Sequence, residues 1–189
     1  MNIVYGGAFN PPTLAHLEIC KVLKSMAKNL IIMPVSINYQ KDTLINDDYR
    51  LDMVNIMALK VGAIVSRVEL ECKKYMGTYH TLNLLSSEYD DLYFVMGADN
   101  LENLNKWIRY EDLLNDYKFI VFERNDKNCS KIIESKYYKY KEKFLIIPFD
   151  MDISSTEIRN DLEKNKDKLL PEIYDYINSN CLYEVNRNV

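Results

Sequence analysis

Gly6-Gly7-Ala8-Phe9-Asn10-Pro11-Pro12-Thr13-Leu14-Ala15-His16 comes directly after the apolar run Ile3-Val4-Tyr5. Two adjacent glycines let the main chain turn sharply and come close to a ligand. Pro11 and Pro12 stiffen the loop after them. A helix is expected to start near Thr13, because Ala15, Ile19, Val22, Leu23 and Met26 fall on one face at helical spacing. A strand that turns through glycines into a helix start aims free N–H groups at one point, and such a point attracts anions. His16 sits in the first helical turn, within reach of an anion held there. Gly-Gly alone would be an ordinary tight turn. The Pro-Pro pair and the Thr-x-x-His helix start after a buried strand make it a phosphate-binding segment.

Along the rest of the chain, β-prone runs occur at residues 2–6, 30–35, 63–70, 92–97, 118–123 and 144–148. Helical spacing lies between them: Leu51, Val54, Ala58 and Val61 repeat by threes and fours, and a third helix is expected over about 81–88. The strand runs are continuous rather than alternating, as in Leu30-Ile31-Ile32-Met33 and Tyr93-Phe94-Val95-Met96, which suits strands buried on both faces. Strands alternating with helices imply βαβ units and a parallel sheet. The expected class is α/β: a Rossmann-like, doubly wound parallel sheet with a small C-terminal helical part. Ligands in such sheets bind beyond the carboxyl ends of the strands, where strand order reverses. In the tail, Ser154-x-x-Glu157 fits a capping box and Pro171-Glu172 a second helix start. The expected organisation is one domain over 1–189, with a sheet core over 1–150 and a helical region over 151–189.

Composition narrows the classes. The chain has 189 residues, 48% of them hydrophobic, enough for a core. A net charge of −4 argues against a protein that coats nucleic acid, which carries a broad basic face. The N-terminus shows no leader pattern and no run is long enough to span a bilayer, so a cytoplasmic location without membrane attachment is expected. Cys20, Cys72, Cys129 and Cys181 are scattered, with no C-x-x-C pair, and are expected to be reduced thiols. With only His16 and His80, a dedicated zinc site is not expected.

Further segments lie just past other strands. Pro34-Val35-Ser36-Ile37-Asn38-Tyr39-Gln40-Lys41 places a cation, Lys41, beyond the second strand. Arg50, in the next helix, is read as structural, with an ion-pair partner. Gly97-Ala98-Asp99 comes after the fourth strand: a glycine there lets a ligand approach, and Asp99 offers a hydrogen-bond acceptor. Arg124 comes after the fifth strand. Ile153-Ser154-Ser155-Thr156-Glu157-Ile158-Arg159 gathers hydroxyls, free N–H groups and a guanidinium at one helix start, a combination suited to phosphates.

Together these segments resemble the nucleotidyltransferase superfamily marked by T/H-x-x-H after the first strand and I-S-S-T-x-I-R near the C-terminus. More narrowly, G-G-x-F-N-P-P resembles the nicotinate/nicotinamide mononucleotide adenylyltransferases. Thr78-Tyr79-His80-Thr81-Leu82 is similar to the family's Y-T-x-D-T-L, and Gly97-Ala98-Asp99-Asn100-Leu101 with Trp107 and Glu111-Asp112-Leu113-Leu114 is similar to its G-A-D-x-L…W…E-x-L-L. The motifs occur in order over nearly the whole chain. The resemblance implies transfer of AMP from ATP to nicotinate mononucleotide in NAD biosynthesis. Nicotinamide mononucleotide, or both, is the alternative.

It implies His16, Thr13, Lys41 and Arg159 as catalytic residues. Gly6, Gly7, Ala8, Phe9, Gly97, Asp99, Ser154, Ser155 and Thr156 would hold ATP. Tyr79, Thr81, Trp107 and Arg124 would meet the second substrate, Trp107 by stacking on the pyridine ring. Mg2+ would be carried mainly by the ATP phosphates, with no protein metal site. The partners are ATP and a pyridine mononucleotide, and a homo-oligomer is left open. The departures are Thr13 for the first histidine of the bacterial H-x-G-H form, Ala15 for its glycine, and His80 where relatives often have Asp. The loop over 36–47 is closer to the nicotinamide-using and dual-specificity relatives. The rivals are a phosphopantetheine- or CTP-using transferase of the same superfamily and a nucleotide sensor without turnover.

Overall fold

Ile3 and Val4 are adjacent and both fully buried, yet they belong to different cores. Successive strand residues point to opposite faces of a sheet, so this pair marks a sheet covered on both sides and accounts for the continuous apolar runs. The computed structural model describes residues 1–37, 44–124 and 127–183. Its sheet has six strands: β1 (Asn2–Gly7), β2 (Asn29–Pro34), β3 (Ile64–Val65), β4 (Leu92–Gly97), β5 (Lys118–Glu123) and β6 (Phe144–Pro148). All neighbours pair in parallel, in the order β3-β2-β1-β4-β5-β6. Strand order reverses between β1 and β4, which makes the gap beyond their carboxyl ends the expected ligand position.

One face is covered by α1 (Leu14–Met26), α2 (Asp47–Val61) and α8 (Pro171–Ser179). Leu17, Leu23, Met53, Met57, Ile173 and Ile177 meet Ile3, Ile32 and Ile120 there. The other face carries α3 (Thr78–Leu85), α4 (Ala98–Asn103), α5 (Tyr110–Asp116) and α6 (Cys129–Lys136), whose Leu82, Leu101, Leu113 and Ile133 meet Val4, Phe94 and Val121. The short α7 (Ser155–Asn160) buries Ile158 in the first of these cores.

Two elements depart from the sequence reading. The strand expected over 63–70 is only Ile64–Val65. Past Val65 the chain bends into a turn, and the Glu69 carboxylate is drawn inward to accept from the Thr81 hydroxyl at 3.0 Å. The third helix starts at Thr78, three residues earlier than expected, behind Gly77 at φ 91°, which caps it without a side-chain bond. At α7 the Ser154 side chain accepts from the Thr156 N–H, but Glu157 faces Lys168 instead of completing the box. Cys20, Cys72, Cys129 and Cys181 form no disulfide among the described residues. Among the described residues no helix is long and apolar enough to cross a membrane.

Candidate active site

A cleft of about 260 Å³ opens beyond the carboxyl ends of β1 and β4. Tyr5, Gly6 and Gly7 supply one side, Gly97, Ala98 and Asp99 another, and Ala15 and His16 of the first turn of α1 close it. Arg124 past β5 and Ile153 ahead of α7 complete the lining. The cleft is therefore built at the strand-order reversal from the segments the sequence singled out.

His16 is held by the helix start on which it sits. The Thr13 N–H donates to Nδ1 of His16 at 3.0 Å, while the His16 N–H approaches Oγ1 of Thr13 at 3.4 Å. This is a reciprocal cap in which histidine takes the place usually filled by Glu or Gln. Because Nδ1 accepts, the ring proton of the neutral imidazole sits on Nε2. Burial pulls the His16 pKa down to about 4, and the nearby Arg124 charge pushes it the same way. At neutral pH His16 is thus an uncharged donor through Nε2. Thr13 is itself buried; its side chain is spent on His16 and does not line the cleft. Phe9 is likewise buried and outside the lining. Its ring stands edge-on to His16 at 5.2 Å and to Tyr5 at 5.4 Å, so it backs the imidazole.

The loop from Ala8 to Pro11 has its carbonyl oxygens drawn to donors from distant elements. Arg50, fully buried, donates to the oxygens of Ala8 at 2.8 Å and Ile45 at 3.2 Å, to that of Val35, and to the Asp47 carboxylate. Its expected ion-pair partner is thus Asp47. Arg159 donates from Nη1 to the oxygen of Asn10 at 2.7 Å and from Nη2 to Oγ1 of Thr156 at 3.2 Å. The Ser155 hydroxyl donates to the oxygen of Pro11 at 2.9 Å. An anion-binding loop is repelled by carbonyl oxygens that face the ligand, and the bonds to Ala8, Asn10 and Pro11 occupy them. The N-terminal and C-terminal motifs therefore meet directly. Arg159 and Ser155 support the loop, with two of the five guanidinium N–H groups engaged in these bonds.

On the opposite wall, a Cβ at Gly97 would meet no atom within 4 Å. Its φ of −86° is open to any residue, so the space before it is cleft rather than core. Asp99 is exposed and paired with Lys127 at 2.6 Å, and Lys127 also bonds Glu102 at 2.6 Å. Lys127 had no signal in the sequence beyond its charge. Arg124 is exposed and lines the same cleft as Gly97.

Tyr79, Thr81 and Trp107 lie outside the cleft lining that holds Arg124, and Tyr79 and Thr81 are buried. The Tyr79 hydroxyl donates to Asp116 at 2.8 Å, with the Arg109 guanidinium 4.2 Å above its ring. Trp107 is half-buried and edge-on to Phe94 of β4 at 6.0 Å. Phe94 also lies 3.3 Å from where a Cβ on Gly6 would stand, so one ring joins this group to the cleft. His80 is exposed. Glu69 is buried, its Oε2 without a partner among the described residues, and burial raises its pKa. Lys41 lies outside the described residues. Among the described residues no three His, Cys, Asp or Glu side chains group to hold a metal ion.

The family model described as cytidylyltransferase-like matches residues 4–161. A protein of Acholeplasma laidlawii named "Probable nicotinate-nucleotide adenylyltransferase" is 43% identical over 189 residues, covering 97% of this chain and 98% of that protein. One of the same name from Fusobacterium nucleatum is 35% identical, covering 87% and 88%. Among solved structures, Plasmodium falciparum nicotinic acid mononucleotide adenylyltransferase complexed with NaAD superposes with a TM-score of 0.80 at 24% identity, over 98% of both chains. The same enzyme complexed with APC gives 0.79. On these matches the chain belongs to the cytidylyltransferase-like nucleotidyltransferases and, within them, to the nicotinate-nucleotide adenylyltransferases.

Proposed function

We propose that this chain transfers the adenylyl group of ATP to nicotinate mononucleotide, giving nicotinate adenine dinucleotide and pyrophosphate, and that residues 1–189 act as one nucleotidyltransferase domain. The observation that carries the reading is the single cleft joining the N-terminal glycines, His16 and Arg124, with the Ser155–Arg159 motif bonded to the same loop.

The mononucleotide's 5′-phosphate is already an anion and needs no general base. One of its oxygens attacks the α-phosphorus of ATP in line, and the bond from that phosphorus to the bridging oxygen breaks, so pyrophosphate leaves with the electron pair. Alignment of two polyanions and stabilisation of the charge between them are what remains for the protein. His16 donates from Nε2 to the reacting phosphate; being neutral, it adds a directed hydrogen bond rather than a net charge. Gly6, Gly7 and Ala8 bring the main chain close to the phosphates. Arg124, Lys41 and the remaining donors of Arg159, with Ser154, Ser155 and Thr156, attract the polyphosphate. Gly97 and Asp99 accommodate the adenosine ribose. Mg2+ would come with the ATP substrate, offsetting phosphate charge.

The second substrate lies against Tyr79, Thr81 and Trp107, with Trp107 offering a face to the pyridine ring. The first turn of α3 carries no acidic residue and its cap no side-chain bond, a setting that suits the nicotinate carboxylate. Nicotinamide mononucleotide remains the alternative, on the character of the loop over 36–47. A pyrophosphate-release assay with ATP and Mg2+, run side by side on the two mononucleotides, tests the reading. Faster turnover of the nicotinate form is expected, and a chain that releases pyrophosphate with neither substrate is no adenylyltransferase of this kind.

A further inference from the structure

Beyond α8 the chain makes a hook. The Leu182 N–H returns to the oxygen of Ile177 at 3.0 Å and the Cys181 N–H to that of Asn178 at 3.1 Å, the double bond of a Schellman ending. Cys181 takes the left-handed position, at φ 50°, where glycine is usual, and Tyr183 comes next but one at φ 62°. Two non-glycine residues in that region are held there only by surrounding contacts. Leu182 is one such contact, buried in the core beside Ile177. The other is the Tyr183 hydroxyl, which donates to Oδ1 of Asn10 at 2.8 Å across 173 residues of sequence. Asn10 is buried, its Oδ1 also receives the Ile45 N–H at 3.5 Å, and its main-chain oxygen receives Arg159. Burial pushes the Tyr183 hydroxyl far above the ordinary phenol range, so it stays a donor, and the charges of Arg159 and Arg50 bear on it from the same cluster.

We propose that Tyr183 is a positioning residue for the phosphate loop, acting through the Asn10 side chain to hold the Gly6–Pro12 main chain in its anion-binding shape. This rests on the reading that the loop binds ATP phosphates. Asn10 directly precedes the two prolines, three residues after Gly7. Fixing its side chain at Oδ1 and its main chain at the carbonyl leaves the loop little freedom to turn an oxygen toward the cleft. Arg159 and Tyr183 approach Asn10 from two different elements of the C-terminal region, so the loop is clasped rather than touched at one point.

The test is Tyr183→Phe in the full chain, which removes one hydroxyl and keeps the ring. ATP affinity is measured by titration calorimetry without the second substrate, alongside kcat, both KM values and the thermal midpoint. Expected are ATP binding weaker by about fivefold, the worth of one neutral hydrogen bond, a lower kcat, a mononucleotide KM within about twofold of wild type, and a midpoint within a few degrees. ATP affinity unchanged within twofold overturns the proposal. So does an equal weakening of both substrates with a large fall in midpoint, which marks general loosening. If the wild-type chain binds ATP but makes no dinucleotide, the proposed reaction fails while the affinity comparison still decides the role of Tyr183. A wild-type chain that binds no ATP removes both.

Discussion

Nη1 of Arg159 reaches the main-chain oxygen of Asn10 at 2.7 Å while Nη2 of the same guanidinium reaches Thr156 at 3.2 Å. A planar fork spans both points, and an ammonium on a flexible stem does not. Arg159→Lys keeps the charge and loses the span. Its kcat/KM is expected to fall by roughly 10- to 100-fold, with an unchanged far-UV circular dichroism spectrum. Full kcat/KM in this variant would show that charge alone suffices.

His16 has one ring nitrogen committed to Thr13 and the other available to substrate. His16→Ala removes the Nε2 donor and also leaves the Thr13 N–H without its acceptor. Turnover is expected to drop by about 10²- to 10³-fold, as for a lost transition-state donor, with stability lower by about 1 kcal/mol from the weakened cap. Steady-state kinetics and a urea melt separate the two effects; near-normal kcat would remove His16 from the chemistry.

The same histidine makes stability depend on pH. Its folded pKa is about 4, below the usual value of about 6.5 in an unfolded chain. Between these values the unfolded state binds more protons, so the folded state loses stability as pH falls from about 6.5 to about 4. His16→Asn lacks that titration. The stability of wild type relative to this variant should therefore shrink on acidification, at a limiting slope of about 1.4 kcal/mol per pH unit. Paired denaturant melts from pH 7 to pH 4.5 measure it, and a difference that does not vary with pH contradicts the neutral imidazole.

Gly97 offers a cleaner separation of folding from binding. A methyl group there would touch nothing in the protein, and its backbone angles suit any residue. Gly97→Ala should leave stability unchanged or raise it by up to about 1 kcal/mol. If the nucleotide comes against this main chain, the KM for ATP rises by roughly tenfold through steric conflict in a packed contact. An unaltered KM would move the ribose elsewhere.

Much of the fold is legible in the sequence because its signals are local. Five β-prone runs, at 2–6, 30–35, 92–97, 118–123 and 144–148, lie within one residue of their strands; in the inner strands, burial on both faces leaves an unbroken apolar stretch. Thr13 and Ser154 signal helix starts through their hydroxyls. The third strand reads too long because Ala63–Leu70 has strand-like composition, while an edge strand pairs only as far as its neighbour supports it, here Ile31 with Ile64 and Ile32 with Val65. The start of α3 reads too late because Gly77 caps through backbone angles, without a side-chain signal. Thr13 and Phe9 stand in the right segment, but which side chains turn inward to brace His16 depends on packing. Arg50 to Ala8 spans 42 residues and Tyr183 to Asn10 spans 173; contacts of such range leave no periodic mark.

The clasp on Asn10 sets an order on assembly. Among the described residues every strand of the sheet lies before residue 149, so a chain still leaving the ribosome can pair all six and bury most of both cores. On the proposed role of Tyr183, the phosphate loop nevertheless stays unclasped until that residue emerges. Loss of the Tyr183 hydroxyl alone would then leave a folded protein with a loosened loop, one that passes a check on compactness and falls short only when offered its substrates.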